Sequence, residues 1–169
     1  MTRTCFRPGL MDRRQWLAGV AGVLSGSMAG RALAAPPPAL LPPSVALGDE
    51  LRLALAQGQP LVVLVSLEGC PFCKVVARNF LAPLQRQEGL PVVLVDMRNA
   101  RPLRDFAGAS LTHDQVTRAW GIKVAPTVLF FGRDGAEVAE RMVGGYLPDF
   151  YGAYLDERLQ QARRSVRTG

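Results

Sequence analysis

Residues 61–67, Leu-Val-Val-Leu-Val-Ser-Leu, form an apolar run rich in β-branched side chains, and two residues beyond it stands Cys70-Pro71-Phe72-Cys73. A run of this length without polar alternation predicts a strand buried on both faces, the kind found inside α/β sheets. Proline is best tolerated in the first turn of a helix, so Pro71 predicts a helix start with Cys70 at or near the N-cap. The helix is expected over residues 72–87, with Val75, Val76, Phe80, Leu81 and Leu84 inward and a kink at Pro83. A buried strand, a tight turn and a helix with a cysteine at its head are therefore the unit around which the rest must be arranged.

The flanking segments supply that arrangement. Leu47, Leu51 and Leu55 recur at four-residue spacing, predicting a helix over residues 45–57 capped by Ser44 and stopped by Gly58. Residues 90–96 read as a second apolar strand, and residues 97–110 as a polar, Arg-rich connection longer than the position requires. Thr112 with Gln115 forms a capping-box pattern for a short helix through Trp120. A third strand is expected over 127–131, a hairpin turn at 132–135 and an antiparallel fourth strand over 136–143. The last helix, residues 148–164, carries Phe150, Tyr151, Tyr154, Leu155 and Leu159 as its apolar stripe. This order predicts an α/β fold: a mixed four-stranded sheet, ordered second, first, third, fourth, with helices on both faces and an extra helix ahead of the first strand.

The chain has 169 residues and 49% hydrophobic content, a quantity suited to one packed domain. Its net charge of +6 is concentrated at the front: residues 1–34 hold five arginines against Asp12, which is +4 and leaves +2 for the remainder. That remainder gives no basis for a nucleic-acid partner, and Arg163, Arg164 and Arg167 are expected as a solvated helix end. Met11-Asp-Arg-Arg-Gln-Trp-Leu, an Ala/Gly/Val/Leu stretch and Ala32-Leu33-Ala34-Ala35 follow the plan of an export signal, cleaved after Ala34 or Ala35. Its apolar part, residues 16–30, is shorter than the ~20 residues of a membrane span, so no permanent span is expected. Arg13-Arg14 resembles a twin-arginine signal, with Asp12 where Ser or Thr is usual. Met11 is also a candidate start, and Cys5 leaves the mature protein in either case. The expected organisation is an export signal over 1–34, a proline-rich extended linker over 35–43, a domain over 44–164 and a tail over 165–169, located in the periplasm.

The mature chain then holds two cysteines, in a compartment where disulfides persist. A Cys-x-x-Cys also serves as half of a zinc site, but structural zinc takes four ligands and only His113 is added here. His113 is expected at the surface of a helix's first turn, and no metal or cofactor is expected. At a helix start, exposed N–H groups and the helix dipole favour a thiolate, making Cys70 the nucleophile and the more covered Cys73 the resolving thiol. Lys74 adds to the positive potential there and Glu68 opposes it.

From residue 61 to about 159 the chain resembles the thioredoxin superfamily, on the Cys-x-x-Cys after the first core strand and on Trp120-Gly121-Ile122-Lys123-Val124-Ala125-Pro126-Thr127 leading into an apolar strand. The resemblance implies a cis bond before Pro126, with that proline against the cysteine pair and the Ala125 backbone pairing with extended substrate. Pro71, Phe72 and Gly144 complete the implied substrate surface. Gly69 stands where thioredoxins proper have tryptophan, and Leu64 where they bury a proton-shuttling acid. The Pro-Phe dipeptide is closer to the glutaredoxin pattern. The expectation is a thiol:disulfide oxidoreductase acting on thiols and disulfides of exported proteins. The lean is towards reductant, fed by a membrane or periplasmic redox donor. An alternative use of the same pair is Cu(I) binding by a metallochaperone, supported by Met97, Met142 or His113; a third is a non-catalytic interaction domain.

Overall fold

The computed structural model describes residues 40–145 and 148–168; the expected export signal, linker residues 35–39 and Gly169 lie outside them. In chain order the elements are α1 (Leu47–Ala56), β1 (Leu61–Ser66), α2 (Pro71–Val76), a π-turn (Ala77–Leu81), α3 (Ala82–Glu88), β2 (Val92–Asp96), β3 (Pro102–Arg104), β4 (Ser110–Thr112), α4 (His113–Ala119), β5 (Thr127–Phe131), β6 (Met142–Val143) and α5 (Pro148–Thr168). The main sheet has the expected order β2-β1-β5-β6. Strand β1 runs parallel to β2, with Val62 opposite Val92 and Ser66 opposite Asp96, and antiparallel to β5, with Val65 opposite Thr127.

Side-chain alternation divides the core between the two faces of this sheet. Val62, Leu64, Val128 and Phe130 pack with Val76, Leu81, Tyr151, Leu155 and Leu159 from the α2–α3 rod and α5. Leu61, Val63, Val65, Leu129 and Phe131 pack with Leu47, Leu51, Ala54 and Val116 from α1 and α4. Both faces being covered explains why β1 and β5 show no polar alternation.

Several expectations need correction. Ser44 does not cap α1: Ala46 occupies the N-cap, and buried Ser44 donates its hydroxyl to Glu50 Oε2 at 2.6 Å. Glu50 Oε1 accepts the Val45 and Ala46 N–H groups at 2.8 and 3.3 Å, fixing the path of the chain into the helix. The last linker residues belong to the packed unit, because Leu41 is buried and the Pro42 carbonyl and Ser44 N–H bond Leu94 across the sheet edge, each at 2.8 Å. Near Pro83, which lacks an N–H, the helix widens into a π-turn in which the Ala82 N–H reaches back to the Ala77 carbonyl. Val75 is 43% exposed rather than inward, and Phe150 and Tyr154 face solvent; the buried stripe of α5 is Tyr151, Leu155, Leu159, Ala162 and Val166. Helix α5 also runs through the expected tail to Thr168.

The long connection folds into the β3–β4 hairpin, which buries Leu103 and brings Phe106 to 4.7 Å from Phe131 and 6.2 Å from Trp120, centroid to centroid. The fourth strand is shorter than expected: an isolated bridge joins Glu137 to Phe131 before β6 pairs regularly. His113 is not a surface residue. It is fully buried, with Nδ1 accepting the Asp96 N–H and Nε2 facing the Ser44 carbonyl, each at 3.0 Å.

Candidate active site

Cys70 is the N-cap residue of α2, with backbone at φ −74°, ψ 112° and Pro71 in the first turn. Its Sγ accepts the Cys73 N–H at 3.1 Å, so the sulfur occupies the place of a capping side-chain oxygen. The pair is joined as a disulfide, with Cα atoms 5.3 Å apart. Cys70 is half-buried and Cys73 buried, giving one sulfur access to a partner and shielding the other. Gly69, immediately before, has φ +77°, a backbone conformation that disfavours side chains.

The loop ahead of β5 stands against this helix start. The Ala125–Pro126 bond is cis, Pro126 is buried, and the Ala125 carbonyl oxygen lies 4.0 Å from Cys70 Sγ. Gly144, at φ +84°, donates its N–H to the Pro126 carbonyl at 2.8 Å and joins the end of β6 to the same loop. A methyl at Gly145 would touch Pro126 Cγ at 3.6 Å, Val76 Cγ2 at 3.7 Å and Phe72 Cβ at 3.8 Å, so these residues converge on one surface. Phe72, Val124 and Val143 are exposed around it at 53%, 40% and 58%. The sequence-derived set Cys70, Pro71, Phe72, Cys73, Ala125, Pro126 and Gly144 is therefore brought together.

Glu68 and Lys74 lie on a polar cleft on another side of Cys70, together with Asp96, Asn99 and Arg101. The last three were not singled out from sequence. The available signal is that Asp96 ends a strand parallel to β1, and carboxyl ends of parallel strands are where α/β sheets place ligands. Burial raises the Asp96 carboxyl above its ordinary value and Glu68 adds to the rise, whereas Arg101 and His113 oppose it. Leu64 is fully buried among apolar neighbours, so the strand ahead of the pair carries no acid at that position.

Among the described residues, no group of three or more His, Cys, Asp or Glu side chains is placed to hold a metal ion. Both His113 ring nitrogens are engaged, which removes it as a ligand for copper at the thiol pair. No helix among the described residues is long and apolar enough to cross a membrane.

A family model described as a thioredoxin-like domain matches residues 47–159. No curated protein matches the chain. Among solved structures, the chain is similar to a protein called Trxlp from Edwardsiella tarda, at 24% identity over 69% of this chain and 98% of that one, TM-score 0.45. It is similar also to thioredoxin f from spinach chloroplast, at 19% identity over 75% and 99%, TM-score 0.47. A third is the Schistosoma mansoni thioredoxin pre-protein, at 18% identity over 69% and 92%, TM-score 0.43. With the family model spanning 113 of the 169 residues and the Cys70–Cys73 pair set at a helix start against a cis-proline loop, the chain belongs to the thioredoxin-like family and is a thiol:disulfide oxidoreductase.

Proposed function

We propose that the protein is an exported, periplasmic reductant of disulfides in other exported proteins. Its export rests on the signal pattern of residues 11–35, and its direction on a Pro-Phe dipeptide that places no histidine beside Cys70. In the reduced protein the Cys70 thiolate attacks a partner disulfide; a Cys70–partner S–S bond forms and the partner's second sulfur leaves as a thiolate. The Cys73 sulfur, after losing its proton to solvent, attacks Cys70 Sγ and releases the partner's first sulfur, which leaves the Cys70–Cys73 disulfide. Two electrons have passed to the partner, and a membrane or periplasmic dithiol donor restores the pair. Ala125 and Pro126 hold the partner's extended backbone while Phe72, Pro71 and Gly144 take its flanking side chains.

The observation that carries this reading is the placement of Cys70 Sγ, half-buried, bonded by the Cys73 N–H at the head of the α2–α3 rod and 4.0 Å from the Ala125 carbonyl. A Cys73→Ser variant expressed in the native host should accumulate defined partners disulfide-linked to Cys70, lost again in Cys70→Ser/Cys73→Ser. The trap coming up empty while the variant folds and is exported would refute the exchange reading. Iodoacetamide should titrate Cys70 below the ~8.5 of free cysteine.

A further inference from the structure

Beside Cys70 the chain builds a cleft of about 610 Å3 whose walls carry four charges: Glu68 ahead of α2, Lys74 on α2, Asp96 at the end of β2 and Arg101 in the connection to β3. These charges are not equally screened. Glu68 and Lys74 are exposed, so water and salt weaken their effect on a neighbouring sulfur. The Asp96 side chain is only 19% exposed, and its strand register opposite Ser66 sets it level with the start of the loop that leads to Cys70. Arg101 stands 3.9 Å from Asp96 Oδ2 and is 44% exposed, a loose counter-ion on the solvent side. His113, from α4, accepts the Asp96 backbone N–H at 3.0 Å, and its charge would oppose the rise of the carboxyl. This cleft is a charged wall in which Asp96 is better buried than its counter-ion.

We propose that Asp96, with Arg101 as its counter-ion, sets how readily Cys70 forms a thiolate and so holds the pair on the reducing side. The inference rests on the exchange reading above and gives its direction a physical origin. The step governed is proton loss: the Cys70 S–H bond breaks, the sulfur keeps the electron pair and the proton passes to solvent. A neighbouring carboxylate disfavours that anion and a guanidinium favours it. Stabilising the thiolate stabilises the reduced form and makes a disulfide more oxidising, so a carboxylate that opposes ionisation makes the pair more reducing. Burial raises the Asp96 carboxyl above its ordinary value, with the Arg101 charge opposing that rise.

The test uses the reduced full chain, with Cys70 alkylation by iodoacetamide followed by peptide mass across pH and the dithiol–disulfide equilibrium read against glutathione. Asp96→Asn should move the Cys70 midpoint down by about half a unit or more and, read at a pH above both midpoints, shift the equilibrium towards dithiol by roughly threefold, about 14 mV. Arg101→Gln should move both the other way, Glu68→Gln should have a smaller effect than Asp96→Asn, and Asp96→Glu should restore wild-type behaviour. A folded Asp96→Asn with wild-type midpoint and equilibrium would overturn the inference. If that variant does not fold, an unchanged midpoint in Arg101→Gln overturns it instead. A wild-type midpoint at the free-cysteine value, with Asp96→Asn still lower, would refute the exchange reading while supporting this one.

Discussion

Leu64 and Tyr151 share one apolar layer beneath the sheet and illustrate opposite costs of burial. Leu64 is fully enclosed, so Leu64→Ala should lose about 2–5 kcal/mol of unfolding free energy in urea titration, because a cavity remains where the side chain stood. Cys70 ionisation should be unchanged, since the residue carries no charge. Tyr151 is 6% exposed, its ring lies 4.8 Å from that of Phe80, and its buried hydroxyl has no hydrogen-bond partner among the described residues. Burial raises the pKa of that hydroxyl. Its desolvation is uncompensated, so Tyr151→Phe should keep the ring contact and leave stability unchanged or raise it by about 1 kcal/mol. A loss of more than that in thermal or urea unfolding would show that the hydroxyl makes a contact worth having.

At the scale of elements, Thr112 closes a complete capping box on α4: its Oγ1 accepts the Gln115 N–H at 3.2 Å and the Gln115 side chain accepts the Thr112 N–H at 2.8 Å. Thr112→Ala should cost about 1 kcal/mol, read by urea unfolding, and Thr112→Ser much less. This cap was readable because its determinants lie three residues apart, and β1, β5 and the sheet order were readable because doubly buried strands leave continuous apolar runs. The β3–β4 hairpin was hidden for the opposite reason. Its strands are three residues each, and what fixes them is Leu103 and Phe106 packing on α1 and β5, contacts that no local pattern encodes. The π-turn is a similar case, since Pro83 announces a disturbance in the helix without saying how the backbone absorbs it. Within the site, the cysteines and the proline loop carry their own motif. Asp96 and Arg101 reach the cleft only through strand register and the course of a loop, so nothing near them in sequence marks them.

Across the whole molecule, His113 joins three segments that are distant along the chain. It begins α4, its Nδ1 accepts the N–H of Asp96 at the end of β2, and its Nε2 meets the Ser44 carbonyl of the strap that leads into α1. Accepting at Nδ1 and donating at Nε2 defines the neutral Nε2–H tautomer; an added proton on Nδ1 would destroy the bond to Asp96. Burial lowers the imidazole below its ordinary 6.5, and Arg101 works in the same direction against the Ser44 bond and the Asp96 and Glu50 charges. The unfolded chain therefore binds this proton at higher pH than the folded chain. The resulting stability is fully present above 6.5 and is lost as pH falls from there through the lowered folded value, with a slope of at most about 1.4 kcal/mol per pH unit. Asp96 acts with the opposite sign: its raised carboxyl keeps a proton in the folded state, so falling pH relieves a cost in the interval above the ordinary 3.8. Urea unfolding of Asp96→Asn between about pH 7.5 and 5 isolates the histidine. Its stability should decline with acidity, and adding His113→Gln should remove that decline while lowering stability at neutral pH. A double variant that keeps the full acid slope would place the responsible proton on another group.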